Sequence, residues 1–303
     1  MIRQLALYFL ERTVMSKKLS PYGFDWGRFL SLIARPNYRL SNAQQPDDSV
    51  FPASGLIHIT GAVSPEICNQ VIADYDRFEA YRKKMDCLIH GDDGRNLRLT
   101  NFHLASDALL EIGLSQCFHE PISDFFRNPS TIYTSLTYKH GSQQSAHIDT
   151  PFFWTRPFNL FTGVWVALED VYDDAGPLFY YPGSHMLWTD EVALRKIYDE
   201  SNQDLSRMFE LMRERAEQQV GKTELKIKAG DAVIWHPGLL HGGSFATNSI
   251  KTRYSTVFHF ASLGTNVRDN RVFPNDFINL PTYGVKSRNG KYYCRGGLPT
   301  VMR

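Results

Sequence analysis

The chain reads as mainly β with flanking helices, a β-sandwich or jelly roll. Three observations predict this. From residue 131 onward, short β-branched and aromatic stretches recur, broken by Gly and Pro. Two amphipathic helical stretches precede them, and a charged helical segment at about 189–219 interrupts them.

Residues 1–54 read as a helical and loop leader packed on the core, with helical stretches at 3–17 and 26–34 and a polar loop at 41–49. Ser64-Pro65-Glu66 then supplies an N-cap, a proline at the first helical position and an early acid. Ile67, Val71, Tyr75 and Phe78 follow at helical spacing, predicting a helix to about Lys84. Residues 91–98 read as a loop. A single second helix is predicted over 106–126, with Leu109, Ile112, Phe118, Ile122 and Phe125 on its apolar side. Strands are predicted at 131–138, 159–168, 178–181, 224–227, 232–235 and 252–260. Within the interruption, Leu194, Ile197, Leu205, Met208, Phe209 and Met212 recur at helical spacing, and an insertion so placed often covers a site mouth. The domain proper is expected to span 55–264, with 265–303 a C-terminal extension whose structure the sequence does not assign.

Composition narrows the function classes. The 303 residues carry 33 basic and 32 acidic side chains, a net charge of +1, which is no electrostatic footprint for nucleic acid or an anionic membrane. No apolar run reaches about 18 residues, the length that would predict a transmembrane helix. The apolar stretch Leu5 to Leu10 is short and lacks a small-residue cleavage site, so no signal peptide is expected. Cys68, Cys87, Cys117 and Cys294 form no CxxC pair and fit reduced thiols, pointing to a cytoplasmic protein.

The chemistry concentrates in His147-Ile148-Asp149 and, far downstream, His241. In an extended segment, residues i and i+2 point to the same side, so His147 and Asp149 can converge on one ion. Two imidazoles and a carboxylate cap one face of a metal and leave the rest open, the facial triad of non-haem Fe(II) oxygenases. Arg253 and Ser255 share one face of the last predicted strand. A guanidinium fork with a hydroxyl suits a carboxylate, so the pair could hold the far end of a keto acid whose 2-oxo acid end chelates the iron.

The stretch from Ser135 to Phe260 resembles the phytanoyl-CoA dioxygenase family of Fe(II)/2-oxoglutarate oxygenases. The resemblance rests on Ser135-Leu136-Thr137-Tyr138-Lys139 and on the run Gly141 to Thr150 around His147-Ile148-Asp149. It continues through Val164 to Val171, Ala175-Gly176-Pro177-Leu178 and Tyr181-Pro182-Gly183-Ser184-His185. It ends with Gly230 to His236 and His241-Gly242-Gly243-Ser244. Gly55 to Ile59 looks like the family's opening strand. The resemblance implies a double-stranded β-helix (jelly roll, cupin-like). It also implies an Fe(II)- and 2-oxoglutarate-dependent dioxygenase using O2, most simply hydroxylating a small-molecule substrate with release of succinate and CO2. Ligands would be His147, Asp149 and His241; 2-oxoglutarate contacts would be Arg253, Ser255 and one of Lys139 or Tyr138. Because Asp149 is present, the halide site of halogenating relatives is not expected.

Plainer readings stand beside these. His236 competes with His241 as a ligand, or is a strand-end core residue; Lys251 competes with Arg253 as anchor. His185 is read as holding its turn by hydrogen bonds, and His259 as pocket wall or satisfied core histidine. Phe152 or Phe153 is expected to wall the pocket. Trp154, Trp165, Tyr180, Tyr181 and Trp188 are read as barrel core. Arg95, Arg98 and Arg156 are read as solvated surface unless the substrate is an anion. A non-enzymatic jelly-roll binding module and a protein-directed hydroxylase are the alternative functions.

Overall fold

The computed structural model describes residues 44–84, 98–269, 285–294 and 300–302. The helical stretches expected at 3–17 and 26–34, most of the 91–98 loop, Arg95 and Cys87 lie outside the described residues.

The main sheet is built by pairing strands remote in sequence. Its path runs β1 (Leu56–Ile59), β8 (Ala232–Trp235), β5 (Phe161–Ala167), β10 (Ser255–Ser262), β3 (Ser130–Tyr138). Beyond β3 lie β2 (Arg98–Thr100), antiparallel to it, and β13 (Lys291–Cys294), parallel to it. A hairpin joins β13 to β12 (Val285–Arg288), and β14 (Thr300–Met302) pairs with β2. A facing sheet has the order β7 (Thr223–Glu224), β6 (Leu178–Tyr180), β9 (His241–Gly243), and β4 (Phe153–Arg156) pairs with β11 (Asn266–Asp269). Two facing sheets closed by antiparallel long-range pairings make a jelly roll, as the texture of short strands predicts.

The period of two along β10 divides the interior. Phe258 and Phe260 join a cluster with Val164, Val166, Ile132 and the helices. Val257 instead joins Trp165, Val233 and Trp235 between the sheets. All of β10 is buried, as a central strand covered on both faces requires. The covering helices are α1 (Pro65–Lys84), α2 (Asp107–Gly113) and α3 (Gln116–Phe126), contributing Val71, Tyr75, Leu109, Phe118 and Phe125.

Four expectations are corrected. The stretch 106–126 is two helices, because Gly113 abuts Ile132 and Phe258 of the sheet and Ser115 turns extended to begin α3. The last long strand becomes regular at Ser255, not 252. The Glu169 carboxylate accepts from Tyr254 N (2.6 Å), taking that N–H from the ladder, and from the Thr252 hydroxyl (3.1 Å). The strand expected at 224–227 ends at Glu224. His147 and Asp149 sit in no regular strand; His147 makes a lone bridge with His241, and the chain turns at Asp149, whose carbonyl accepts from Phe152 N (2.9 Å).

The 189–219 insertion is the helix pair α4 (Glu191–Glu200) and α5 (Leu205–Gln219). Asp190 and Asp204 cap them by accepting from Ala193 N and Arg207 N, each at 2.8 Å. Leu194, Ile197, Met208 and Met212 pack on Ala146, Ile148, Trp188 and Leu240. The insertion therefore buttresses the His147 segment from outside, while Phe209 brings its ring to 6.2 Å from that of His147.

Candidate metal centre

His147, Asp149 and His241 converge: one ligand atom from each lies within 4.8 Å of the others, and all three residues are buried. The backbone explains the meeting. His147 N donates to His241 O and His241 N to His147 O, each at 2.9 Å, so the two imidazoles stand side by side, ring centroids 4.5 Å apart. His147 Nδ1 lies 2.8 Å from Ser145 O and His241 Nδ1 2.9 Å from Leu239 O. A carbonyl only accepts, so each Nδ1 carries the proton and each Nε2 keeps its lone pair. Those Nε2 atoms face Asp149 Oδ1 at 4.0 and 3.9 Å. Burial pushes both imidazoles down to about 4, so they are neutral and ready to ligate at neutral pH.

Asp149 has a partner that sequence reasoning missed. Its Oδ2 accepts from Trp235 Nε1 at 2.7 Å, and the same indole lies 4.5 Å from the His241 ring. Gly163 makes room for it, since a methyl there would overlap the indole. Each donor thus has an outer hydrogen bond that fixes its orientation, a pattern that metal ligands share. Neutral nitrogens, a carboxylate and held orientations fit a divalent iron.

The triad opens on a cavity of about 380 Å³, lined also by Arg253, Phe152, Phe153, Trp165, Arg98 and His259. Arg253 is 2% exposed, and burial pushes its guanidinium down to about 10, still protonated at neutral pH. Its Nη1 donates to Gly176 O (2.5 Å), while its Nε has no partner among the described residues. Ser255 is fully buried, its Oγ likewise unpartnered among the described residues, but it is not one of the residues lining the cavity. A buried donor left unmet costs about 1–3 kcal/mol, so an anion reaching Arg253 would relieve that cost.

The other sequence candidates scatter. Tyr138 points inward with Trp165 and Val257. Lys139, its alternate, points to α1, with Nζ 3.0 Å from Asp76 and 3.2 Å from Glu79, so the structure does not bring it to the cavity. Lys251 is held by Asp174 at 2.8 Å, and Arg156 by Glu191 at 2.9 Å. His236 turns to Asp48 (3.2 Å) and Gly238 N (3.1 Å), away from the triad. His185 lies tilted against His236, ring centroids 4.8 Å apart, with its Nδ1 unpartnered among the described residues. His259 lies tilted against Phe153 at 4.6 Å and lines the cavity. Phe152 and Phe153 both wall it, and Arg98, read as surface, lines it too.

Comparison with known proteins follows this geometry. Phytanoyl-CoA dioxygenase domain-containing protein 1 of Danio rerio is 30% identical over 135 residues, 44% of this chain and 45% of that protein. Phytanoyl-CoA dioxygenase 1 of Oryza sativa subsp. japonica is 29% identical over 150 residues, 45% of this chain and 50% of that protein. The chain spans about half the length of the curated relatives it matches. Among solved structures, EctD from S. alaskensis with 2-oxoglutarate and 5-hydroxyectoine has a TM-score of 0.58 at 14% identity, over 80% of this chain and 91% of that one. The non-haem, α-ketoglutarate-dependent epimerase SnoN from nogalamycin biosynthesis has a TM-score of 0.54 at 16% identity, over 80% and 94%. At those identities the likeness speaks for the fold, the double-stranded β-helix. The sequence profile of the phytanoyl-CoA dioxygenase (PhyH) family matches residues 51–253, most of the described core, and the chain belongs to that family.

Proposed function

We propose that this protein is an Fe(II)- and 2-oxoglutarate-dependent oxygenase that hydroxylates a small molecule. His147, Asp149 and His241 would hold the iron, and Arg253 with Ser255 would hold the distal carboxylate of 2-oxoglutarate. The observation that carries this reading is a buried Arg253 with no carboxylate partner among the described residues, in the same cavity as a converging His-x-Asp and His. A guanidinium so placed needs an anion, and a keto diacid spans from that anion site to a metal.

Bound iron, with 2-oxoglutarate and dioxygen, supplies oxidation of a C–H bond coupled to release of succinate and CO2. The chain's own residues orient and exclude. Nδ1 protons on Ser145 O and Leu239 O keep both Nε2 lone pairs inward. Trp235 holds one oxygen of Asp149 and leaves Oδ1 for the ion. Trp165, under the Arg253 guanidinium at 5.8 Å, and Tyr138 wall the keto-acid end against water. The cavity, near the lower end of the range of roughly 300–1,000 Å³ for ligand pockets, supports a small substrate.

The test is spectroscopic. Fe(II) and 2-oxoglutarate are added to the metal-free protein without oxygen, and the visible charge-transfer band of a chelated keto acid is sought. We expect the band in the wild type, none in His147→Ala, and a higher 2-oxoglutarate requirement in Arg253→Ala. A folded wild type with no band turns the reading toward a binding module.

A further inference from the structure

We propose that the primary substrate carries an anionic group, a carboxylate or a similar oxyanion, and that Arg98 and Thr100 on the inner face of β2 receive it. This rests on the oxygenase reading, because it takes Arg253 as already assigned to the keto acid.

Strand β2 is three residues long, and its alternation is clear in space. Leu99 is buried among Phe102 and the helices, while Arg98 and Thr100 on either side of it both line the cavity of the triad. Arg98 Nε and Thr100 Oγ are buried and have no hydrogen-bond partner among the described residues. Surface arginines behave differently here: Arg127, Arg156, Arg207, Arg213 and Arg215 each hold a carboxylate. The two arginines lining the cavity, Arg98 and Arg253, are held by no carboxylate among the described residues. One keto acid satisfies one of them.

The next residue extends the polar patch. Asn101 takes a left-handed conformation (φ 56°) and lines the same cavity. Its Oδ1 accepts from Thr134 Oγ at 2.8 Å, which leaves its amide N–H groups to donate. Guanidinium, hydroxyl and amide from one short stretch can each donate, which is what an oxyanion requires. The same cavity is lined by apolar Leu136, beside Thr100 on the neighbouring strand β3, and by Phe152 and Phe153, so the remainder of the ligand is expected to be apolar or aromatic.

The experiment uses the full chain loaded with Fe(II) and saturating 2-oxoglutarate under argon, so that Arg253 is occupied. Acetate, benzoate, methyl phosphate and methanesulfonate are titrated, with acetamide and benzamide as neutral counterparts of the two carboxylates. Binding is read from the fluorescence of the cavity residues Trp165 and Trp235 and from the visible band. We expect at least one carboxylate to bind roughly tenfold or more tighter than its amide, about 1.4 kcal/mol, in line with a charge-assisted contact. Arg98→Gln should erase that preference and Arg98→Lys should keep part of it. The 2-oxoglutarate affinity should stay within about twofold in both, a difference too small for a lost ionic contact. Equal binding of acids and amides in the wild type, or a preference that survives Arg98→Gln, overturns the inference while the band still supports the oxygenase reading. Loss of 2-oxoglutarate binding in Arg98→Gln also overturns it, by assigning Arg98 to the co-substrate. A wild type that never forms the band fails the oxygenase reading, and this inference with it.

Discussion

Replacing Trp235 with Phe isolates one hydrogen bond. The indole Nε1 donates to Asp149 Oδ2 at 2.7 Å, and Asp149 is 3% exposed, so water cannot readily replace the donor. Phenylalanine keeps an aromatic face against His241, now 4.5 Å from the indole, and removes the N–H. A hydrogen bond to a buried charge is worth about 1.5–3 kcal/mol. Removing such an outer partner of a metal ligand typically costs about 10–100-fold in metal affinity, or about 1.4–2.7 kcal/mol. The two routes agree, so Trp235→Phe should weaken metal binding by one to two orders of magnitude. The assay is an anaerobic titration with Fe(II), followed by the 2-oxoglutarate band, beside a melting curve of the metal-free protein. Stability of the metal-free form should also fall, because the carboxylate is left buried and unmet. Unchanged metal affinity in a folded Trp235→Phe would refute the idea that this indole orients a ligand.

Three further outcomes follow from the same geometry. Arg253→Met should weaken 2-oxoglutarate binding, as Arg253→Ala does, yet raise the stability of the ligand-free protein by about 1–4 kcal/mol, since it removes a buried cation that lacks a counter-charge among the described residues; a lower melting temperature would contradict this. Lys139→Met should leave 2-oxoglutarate affinity unchanged, because its ammonium serves Asp76 and Glu79; a weakened keto-acid titration would return it to the site. His119, far from the triad, is pushed down to about 4 by burial. Its folded value lies below the unfolded one of about 6.5, so the unfolded chain binds more protons between those values and stability falls as pH drops through that window. From pH 7 to pH 5 the contribution is about 2 kcal/mol, so urea midpoints of wild type and His119→Gln should converge by that amount; parallel pH dependence would refute it.

Much of the site was legible because its chemistry is local. The His-x-Asp spacing needs only two neighbouring side chains to face one way, and alternation delivers that even where His147 sits in no regular strand. The hydrophobic alternation along β10 and the helical spacing of Val71 and Tyr75 were legible for the same reason. The helix break falls at Gly113-Leu114-Ser115, a helix-ending glycine followed by an N-cap serine, a local signal outweighed in the reading by the unbroken apolar spacing across 106–126. What stayed hidden otherwise depends on contacts made at a distance. Trp235 enters the sequence reading only as the end of the strand 232–235, and its role depends on the fold bringing Asp149 within reach of its N–H. Arg98 sits on a strand of three residues, too short for a period of two to be read, so a solvated surface was the plainer reading. The β12–β13 hairpin is a different kind of omission. Asn289-Gly290, both at positive φ (52° and 75°), is a strong hairpin signal that was there to be used.

The mutual backbone bonds of His147 and His241 have an experimental use of their own. These two amides are locked to each other's carbonyls by a bridge only one rung long. Opening that rung parts the imidazoles, so an ion gripping both must leave first. At a free ion concentration of about a thousand times its dissociation constant, the opening becomes about 4 kcal/mol harder. Deuterium uptake at these two positions should slow accordingly, by roughly three orders of magnitude. Mass spectrometry of the peptides that carry them would then gauge metal occupancy in oxygen-damaged or heterogeneous preparations, with no turnover and no knowledge of the substrate.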